Sequence, residues 1–197
     1  MSSGLVLFVS MLLLPLVWGV AAYNRFVALR NRCENAFAQI DVQLRRRHDL
    51  IPNLVAATRG YLEHERRTLE AVIEARQGVA DASGEARAHP RDPNAIAEFE
   101  RAEAKLAGPL GRLIALAESY PELQADETVR RLTDELTTTE NRITFARQAY
   151  NDQAVTYNTG IQSFPASLIA TMFDFRRTAL LRPIEESVQR RAVAVAL

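Results

Sequence analysis

Two hydrophobic patterns divide the chain. Gly4 to Tyr23 (GLVLFVSMLLLPLVWGVAAY) carries no charged side chain. Helical residues rise about 1.5 Å each, so this run reaches roughly across the 30 Å hydrocarbon core of a bilayer. Trp18 and Tyr23 stand toward one end, where amphipathic rings favour the membrane interface. Pro15 is better tolerated in such a helix than in a soluble one. The competing assignment is a cleaved signal peptide, for which Val20-Ala21-Ala22 offers a loose cleavage site. No basic residue precedes the run, and the run is long for a signal's apolar core. The sequence therefore predicts a transmembrane anchor over residues 1–23, with residues 4–23 in contact with the lipid bilayer.

Beyond the anchor the pattern becomes amphipathic, with a period near 3.6. Phe26, Leu29, Cys33, Ala36, Phe37, Ile40 and Leu44 recur at spacings of three and four, one apolar face of a helix. Pro52 disfavours helical geometry at Ile51, so this helix is expected to end near His48, with Asp49 capping the next. A second helix is predicted from Leu50 to Asp81, with Leu54, Tyr61, Leu62, Leu69, Val72, Ile73 and Val79 as its stripe and Glu63–Arg67 as an i,i+4 pair. Ala82 to Asp92 (ASGEARAHPRD) is expected to be a loop. A third helix runs from Pro93 to Ser119 with Asp92 as its cap, and Gly108, Pro109 and Gly111 are expected to kink it. The fourth starts after Asp126. Val129, Leu132, Leu136, Thr139, Ile143, Ala146, Tyr150, Ala154, Tyr157, Ile161 and Phe164 step by three or four for about five heptads, a coiled-coil-like seam that needs helical partners. No strand pattern competes. The fold class is all-α, an N-terminal transmembrane helix followed by an antiparallel four-helix bundle of long helices. The bundle spans residues 24–165.

That topology brings the end of the fourth helix back to the membrane. The tail, residues 166–197, then begins beside the lipid, where Leu168, Ile169, Met172, Phe173 and Phe175 with Arg176 and Arg177 form either an interfacial contact or a flap packed on the bundle.

Charge sets the orientation and excludes some functions. Arg25, Arg30 and Arg32 follow the span, then Arg45, Arg46 and Arg47. The positive-inside rule places the N-terminus outside and the bundle in the cytoplasm. One cysteine, Cys33, admits no intrachain disulfide. Lys+Arg and Asp+Glu are 24 each, so no basic excess points to nucleic acid.

The chemistry-bearing patterns are missing. Three residues before His48, His64 and His89 stand Arg45, Tyr61 and Ala86, so no Glu-x-x-His di-iron motif is complete. Glu63-His64-Glu65 points in three directions on a helix and fits a solvated charge run. No H-E-x-x-H, phosphate-binding loop, nucleotide fingerprint or nucleophile elbow occurs. No cofactor and no enzyme activity are expected.

Two features remain. Asn31, Asn35, Gln39 and Gln43 repeat every four residues, with Asn31 and Asn35 opposite the apolar sector. Amides pair in either direction, so this stripe is a candidate interaction face for a second copy or another protein, against the alternative of a plain solvated face. Arg45-Arg46-Arg47 caps the expected helix end or forms a partner-binding corner.

Three long strings then carry a resemblance. YNRFVALRNRCENAFAQIDVQLRRRHDLIPNLVAATRGYLEHERRTLEAVIEAR (23–76), LGRLIALAESYPELQA (110–125) and TENRITFARQAYNDQAVTYNTGIQSFP (139–165) closely resemble the opening, middle and signature end of the LemA family. The resemblance implies a bacterial inner-membrane protein with an N-terminal anchor, a cytoplasmic helical bundle and no known cofactor or catalytic residues. Cys33, Phe37, Pro109 and the tail after Phe175 depart from the family pattern. The expected function is a membrane-anchored, envelope-associated scaffold or adaptor. Its alternative is a sensor holding a small ligand between helices, which calls for a cavity lined by polar groups from several helices.

Overall fold

The computed structural model describes residues 2–90 and 92–182. Every regular element among them is helical: α1 (Ser2–Thr58), a single 3-10 turn (Glu63–Glu65), α2 (Arg66–Ala88), α3 (Pro93–Ser119), α4 (Pro121–Ala125), α5 (Glu127–Gln162) and α6 (Ser167–Met172).

The anchor and the first bundle helix are one element, since α1 runs unbroken through Pro15 and Pro52. Its N-terminal part leaves Phe8, Leu12, Leu14, Leu16, Val17 and Val20 exposed, as a lipid-facing helix does. From Phe26 onward the same helix buries one face, through Leu29, Cys33, Phe37, Ile40 and Leu44 and on to Ile51, Leu54 and Val55.

The expected helix end near His48 is therefore corrected. Pro52 removes the N–H that would bond the carbonyl of residue 48, which costs a helix about 3 kcal/mol. Here Nε of Arg76 donates to that His48 carbonyl at 2.7 Å. A side chain of α2 thus supplies the missing donor, and Ile51 and Leu54, both fully buried, hold the continuing face in the core. The chain turns instead after Thr58, where Tyr61 and Leu62 both donate to its carbonyl. Leu50–Thr58 belongs to α1, and α2 begins only at Arg66. Tyr61 and Ile73, expected in the stripe, are exposed.

The expected loop over Ala82–Asp92 is also shorter. The helix continues to Ala88 because Ala82 and Ala86 extend the buried stripe of Val72 and Val79. An interior glycine costs only about 1 kcal/mol, which that burial offsets at Gly84. Of the three predicted caps, Asp92 and Asp126 form, whereas Asp49 lies inside α1, where no helix starts. Asp92 accepts from the Asn94 amide at 2.9 Å. Asp126 accepts from Thr128 and Val129. α3 continues through Pro109 as one helix.

The helices pair as an antiparallel bundle. Arg46 meets Glu135 and Phe37 meets Tyr150, so α5 runs against α1. Asp41 meets Arg87 and His48 meets Arg76, so α2 also runs against α1. Glu100 meets Arg147 while Glu103 and Glu140 meet at Arg47, so α3 runs against α5. At the anchor end Trp18, Arg25, Gly160 and Ser163 share a crevice of about 240 Å³. A Cβ added at Gly160 would lie 3.2 Å from Leu29 Cδ1, so glycine sets the close approach of α5 to α1 there.

Candidate functional site

The amide stripe lies on the outside of the bundle. Asn31, Asn35 and Gln39 are exposed, and their side chains make no hydrogen bond among the described residues. Gln43 is half-buried, and its Oε1 is covered without a partner. At about 100° per residue the stripe drifts about 120° around α1 from Asn31 to Gln43, so its last member turns toward the bundle.

The arginine run does something different from capping a helix end, because no end is there. Arg45 bonds Asp41 one turn back. Arg46 pairs with Glu135 across the surface at 3.5 Å. Arg47 is buried and bonds Glu103 of α3 and Glu140 of α5, tying three helices. Burial disfavours the Arg47 charge, but Glu103 and Glu140 more than offset it and raise the guanidinium pKa. The Glu140 carboxyl is pushed up by burial, which outweighs the pull of Arg47. The corner of three arginines is thus one interior tie and two surface side chains.

Beside it, α1 and α2 enclose a cleft of about 150 Å³, closed at the back by Leu106 of α3. Arg45, Arg76 and Arg87 line it with Asp41 and His48. Oδ2 of Asp41 accepts from Arg45 at 3.0 Å and from Arg87 at 3.1 Å. Nη2 of Arg76 sits 2.6 Å from Nε2 of His48. A guanidinium only donates, so Nε2 is the acceptor and the imidazole proton is on Nδ1. Burial and then the Arg76 charge lower the His48 pKa, which keeps the ring neutral.

A second built feature escaped the sequence. After α6 the non-helical segment Phe175–Arg182 returns along α5 and is held by side chains. Asn158 exchanges two hydrogen bonds with the backbone of Thr178, at 2.8 and 2.9 Å. Asn151 does the same with Leu181, at 2.7 and 2.9 Å. Tyr157 and Tyr150 donate their hydroxyls to the carbonyls of Arg176 and Ala179. Arg147, buried, bonds both Glu100 and the Arg182 carbonyl. The signal was present as a Tyr-Asn pair repeated after seven residues, 150–151 and 157–158. Side-chain amides here satisfy a strap that has no sheet partner.

At the anchor end Phe175 packs edge-on against Tyr23 and Phe26, and Phe173 against Tyr23. Ile169 and Ala170 turn inward, whereas Phe164, Leu168 and Met172 are exposed. Residues 166–182 therefore combine a face packed on the bundle with an outward apolar face. Residues 183–197 of the tail lie outside the described residues.

The described residues contain no group of three His, Cys, Asp or Glu side chains able to hold a metal. Burial pushes the Cys33 thiol up to about 11, so it is not a thiolate at neutral pH.

The LemA family profile matches residues 36–197, most of the bundle and the tail. The chain belongs to the LemA family. Among curated proteins it is similar to magnetosome protein MamQ of Magnetospirillum gryphiswaldense, at 27% identity over 170 residues. It is also similar to MamQ 1 and MamQ 2 of Paramagnetospirillum magneticum, each at 29% identity over 171 residues. These matches cover 79% of this chain, which spans 62% of the length of those relatives. Family membership and the long apolar helix together make this LemA-family chain a membrane-associated helical protein.

Proposed function

We propose that this LemA-family chain is a non-catalytic scaffold in the bacterial inner membrane. Its N-terminus lies outside, and its bundle presents the face of Asn31, Asn35, Gln39 and Gln43 to a protein partner or a second copy in the cytoplasm. The continuity of α1 carries this reading: one helix leads from lipid-facing side chains to the core of the bundle, with no flexible link between them. The arginines that follow the span support the orientation. Neutral overall charge speaks against nucleic acid as the partner.

Lipid contact extends beyond residues 4–23 in this reading. α6 lies beside Gly19 and Tyr23. Its exposed Leu168 and Met172 sit at the interfacial layer, with Arg176 and Arg177 toward the phosphates. A tryptophan placed at Leu168 in a Trp18→Phe background is expected to be quenched by brominated lipid. Fluorescence unaffected by such lipid would remove the contact.

A photo-crosslinking residue at Asn35 tests the scaffold in intact cells. A discrete adduct, to self or to one partner, is expected. No adduct, with a probe on α3 reacting normally, would overturn the interaction face. A ligand sensor is the second reading, favoured by the cleft between α1 and α2.

A further inference from the structure

We propose that the cleft between α1 and α2 binds the phosphate group of a small soluble anion, with Arg45, Arg76 and Arg87 as the recognising side chains. The site deepens the ligand-sensor reading, and it stands whether or not the bundle is a scaffold.

Charge at the cleft is the first argument. Three guanidiniums line it against one carboxylate, Asp41. Arg47, also at its edge, is spent on Glu103 and Glu140 behind it. Asp81, on the same helix, is exposed and bonded by Gln77. The cleft therefore holds a cationic excess in a chain whose overall charge is zero.

Pre-organisation is the second. Arginine matches phosphate oxygens because its planar fork donates two parallel hydrogen bonds. The usual cost is freezing a long side chain, and here ion pairs and hydrogen bonds meet part of it, with Arg45 and Arg87 still half or more exposed. Asp41 fixes Arg45 and Arg87 from one side. His48 fixes Arg76 from the other, through its carbonyl and its ring. These contacts occupy only part of each guanidinium. Nη1 of Arg45, Nη1 of Arg76 and Nη2 of Arg87 carry no hydrogen bond among the described residues.

Shape is the third. The cleft holds about 150 Å³, room for a phosphate group and a few further atoms but not for an extended ligand. Gly84 lines it, and a Cβ added there would meet nothing within 4 Å. The backbone at Gly84 needs no positive φ. A larger side chain at Gly84 therefore has open space to extend into at the cleft wall.

Location selects a soluble source over a lipid headgroup. At about 1.5 Å per residue, Arg45 stands roughly 30 Å along α1 from Tyr23, several screening lengths from the bilayer surface.

The test uses the full chain in zwitterionic nanodiscs, titrated with inorganic phosphate and pyrophosphate at constant ionic strength against chloride. Binding is read by calorimetry. Saturable binding is expected, weakened at least tenfold by Arg87→Gln and lost in the Arg45→Gln/Arg87→Gln double variant. Gly84→Leu is expected to abolish binding with every charge in place, and circular dichroism would confirm the fold of each variant. No saturable binding overturns the site. So does binding that Gly84→Leu leaves intact, because the cleft would then not be where the anion sits. A response to anionic lipid in the nanodisc, with none to soluble phosphate, overturns the soluble source. The Asn35 crosslink is independent of all these outcomes, so failure of the cleft and failure of the scaffold are told apart.

Discussion

The two ends of the bundle are held by opposite chemistry. Beside the anchor, Phe175 wedges between Tyr23 and Phe26, Gly160 lets α5 close on α1, and Asn158 clasps the strap. Farther out, the ties are charged: Arg47 to Glu103 and Glu140, Arg87 to Asp41, Arg76 to His48. Ion pairs are costly where water is scarce, whereas aromatic packing works equally against protein or acyl chains. Away from the membrane, arginines add direction, since each fixes the register of two or three helices at once. The bundle thus uses apolar area where lipid is near and charge where water is.

Breaking Arg47 gives the largest effect. Arg47→Met leaves the half-buried Glu103 and Glu140 facing each other with no cation between them, and is expected to cost about 3 kcal/mol. Thermal unfolding in detergent, followed by circular dichroism, reads it. A loss under ~1 kcal/mol would mean that the charged end is not held as described. Phe175→Ala should cost less, about 2 kcal/mol, because the ring is only partly buried. Its effect should not change with salt, which separates the two ends. Asn158→Ala removes two hydrogen bonds and is expected to cost about 1–2 kcal/mol. Protease cleavage between Phe175 and Arg182 should speed up while the helices stay intact.

The smallest effect is a pH dependence confined to the charged end. The His48 pKa is lowered in the folded state, first by burial and then by Arg76. A lowered pKa means that the unfolded chain binds the proton more readily. The stability tied to neutral His48 is therefore present above the ordinary histidine pKa near 6.5, and is lost as pH falls through the folded value. His48→Gln should flatten that part of the profile. An unchanged slope below pH 6.5 would show that His48 does not report on Arg76.

What the sequence made legible follows from how local each determinant is. Asp92 and Asp126 announce helix starts because a cap bonds only its own next two or three residues. The stripes of α1 and α5 were readable because burial repeats with the helix. Pro52 misled because its remedy is Arg76, distant in sequence and on another helix. Gly84 misled because a breaker in isolation becomes tolerable between Ala82 and Ala86. Arg47 and Arg147 stand in register with the apolar stripes, three residues after Leu44 and four after Ile143, yet a search for apolar side chains steps over them. The amide stripe was visible as a repeat. The amides that hold the strap were not, because their partners are backbone groups that no side-chain pattern displays.

The unbroken α1 also makes the protein a lever. From Tyr23 to Thr58 the helix extends about 50 Å, and no hinge separates it from the anchor. Transmembrane helices answer a change in bilayer thickness by tilting. A tilt of about 10° in the lipid swings the far end of the bundle by roughly 9 Å, given that length. A thinning or thickening of the membrane around such a helix is thereby converted into a displacement at the far end of the bundle.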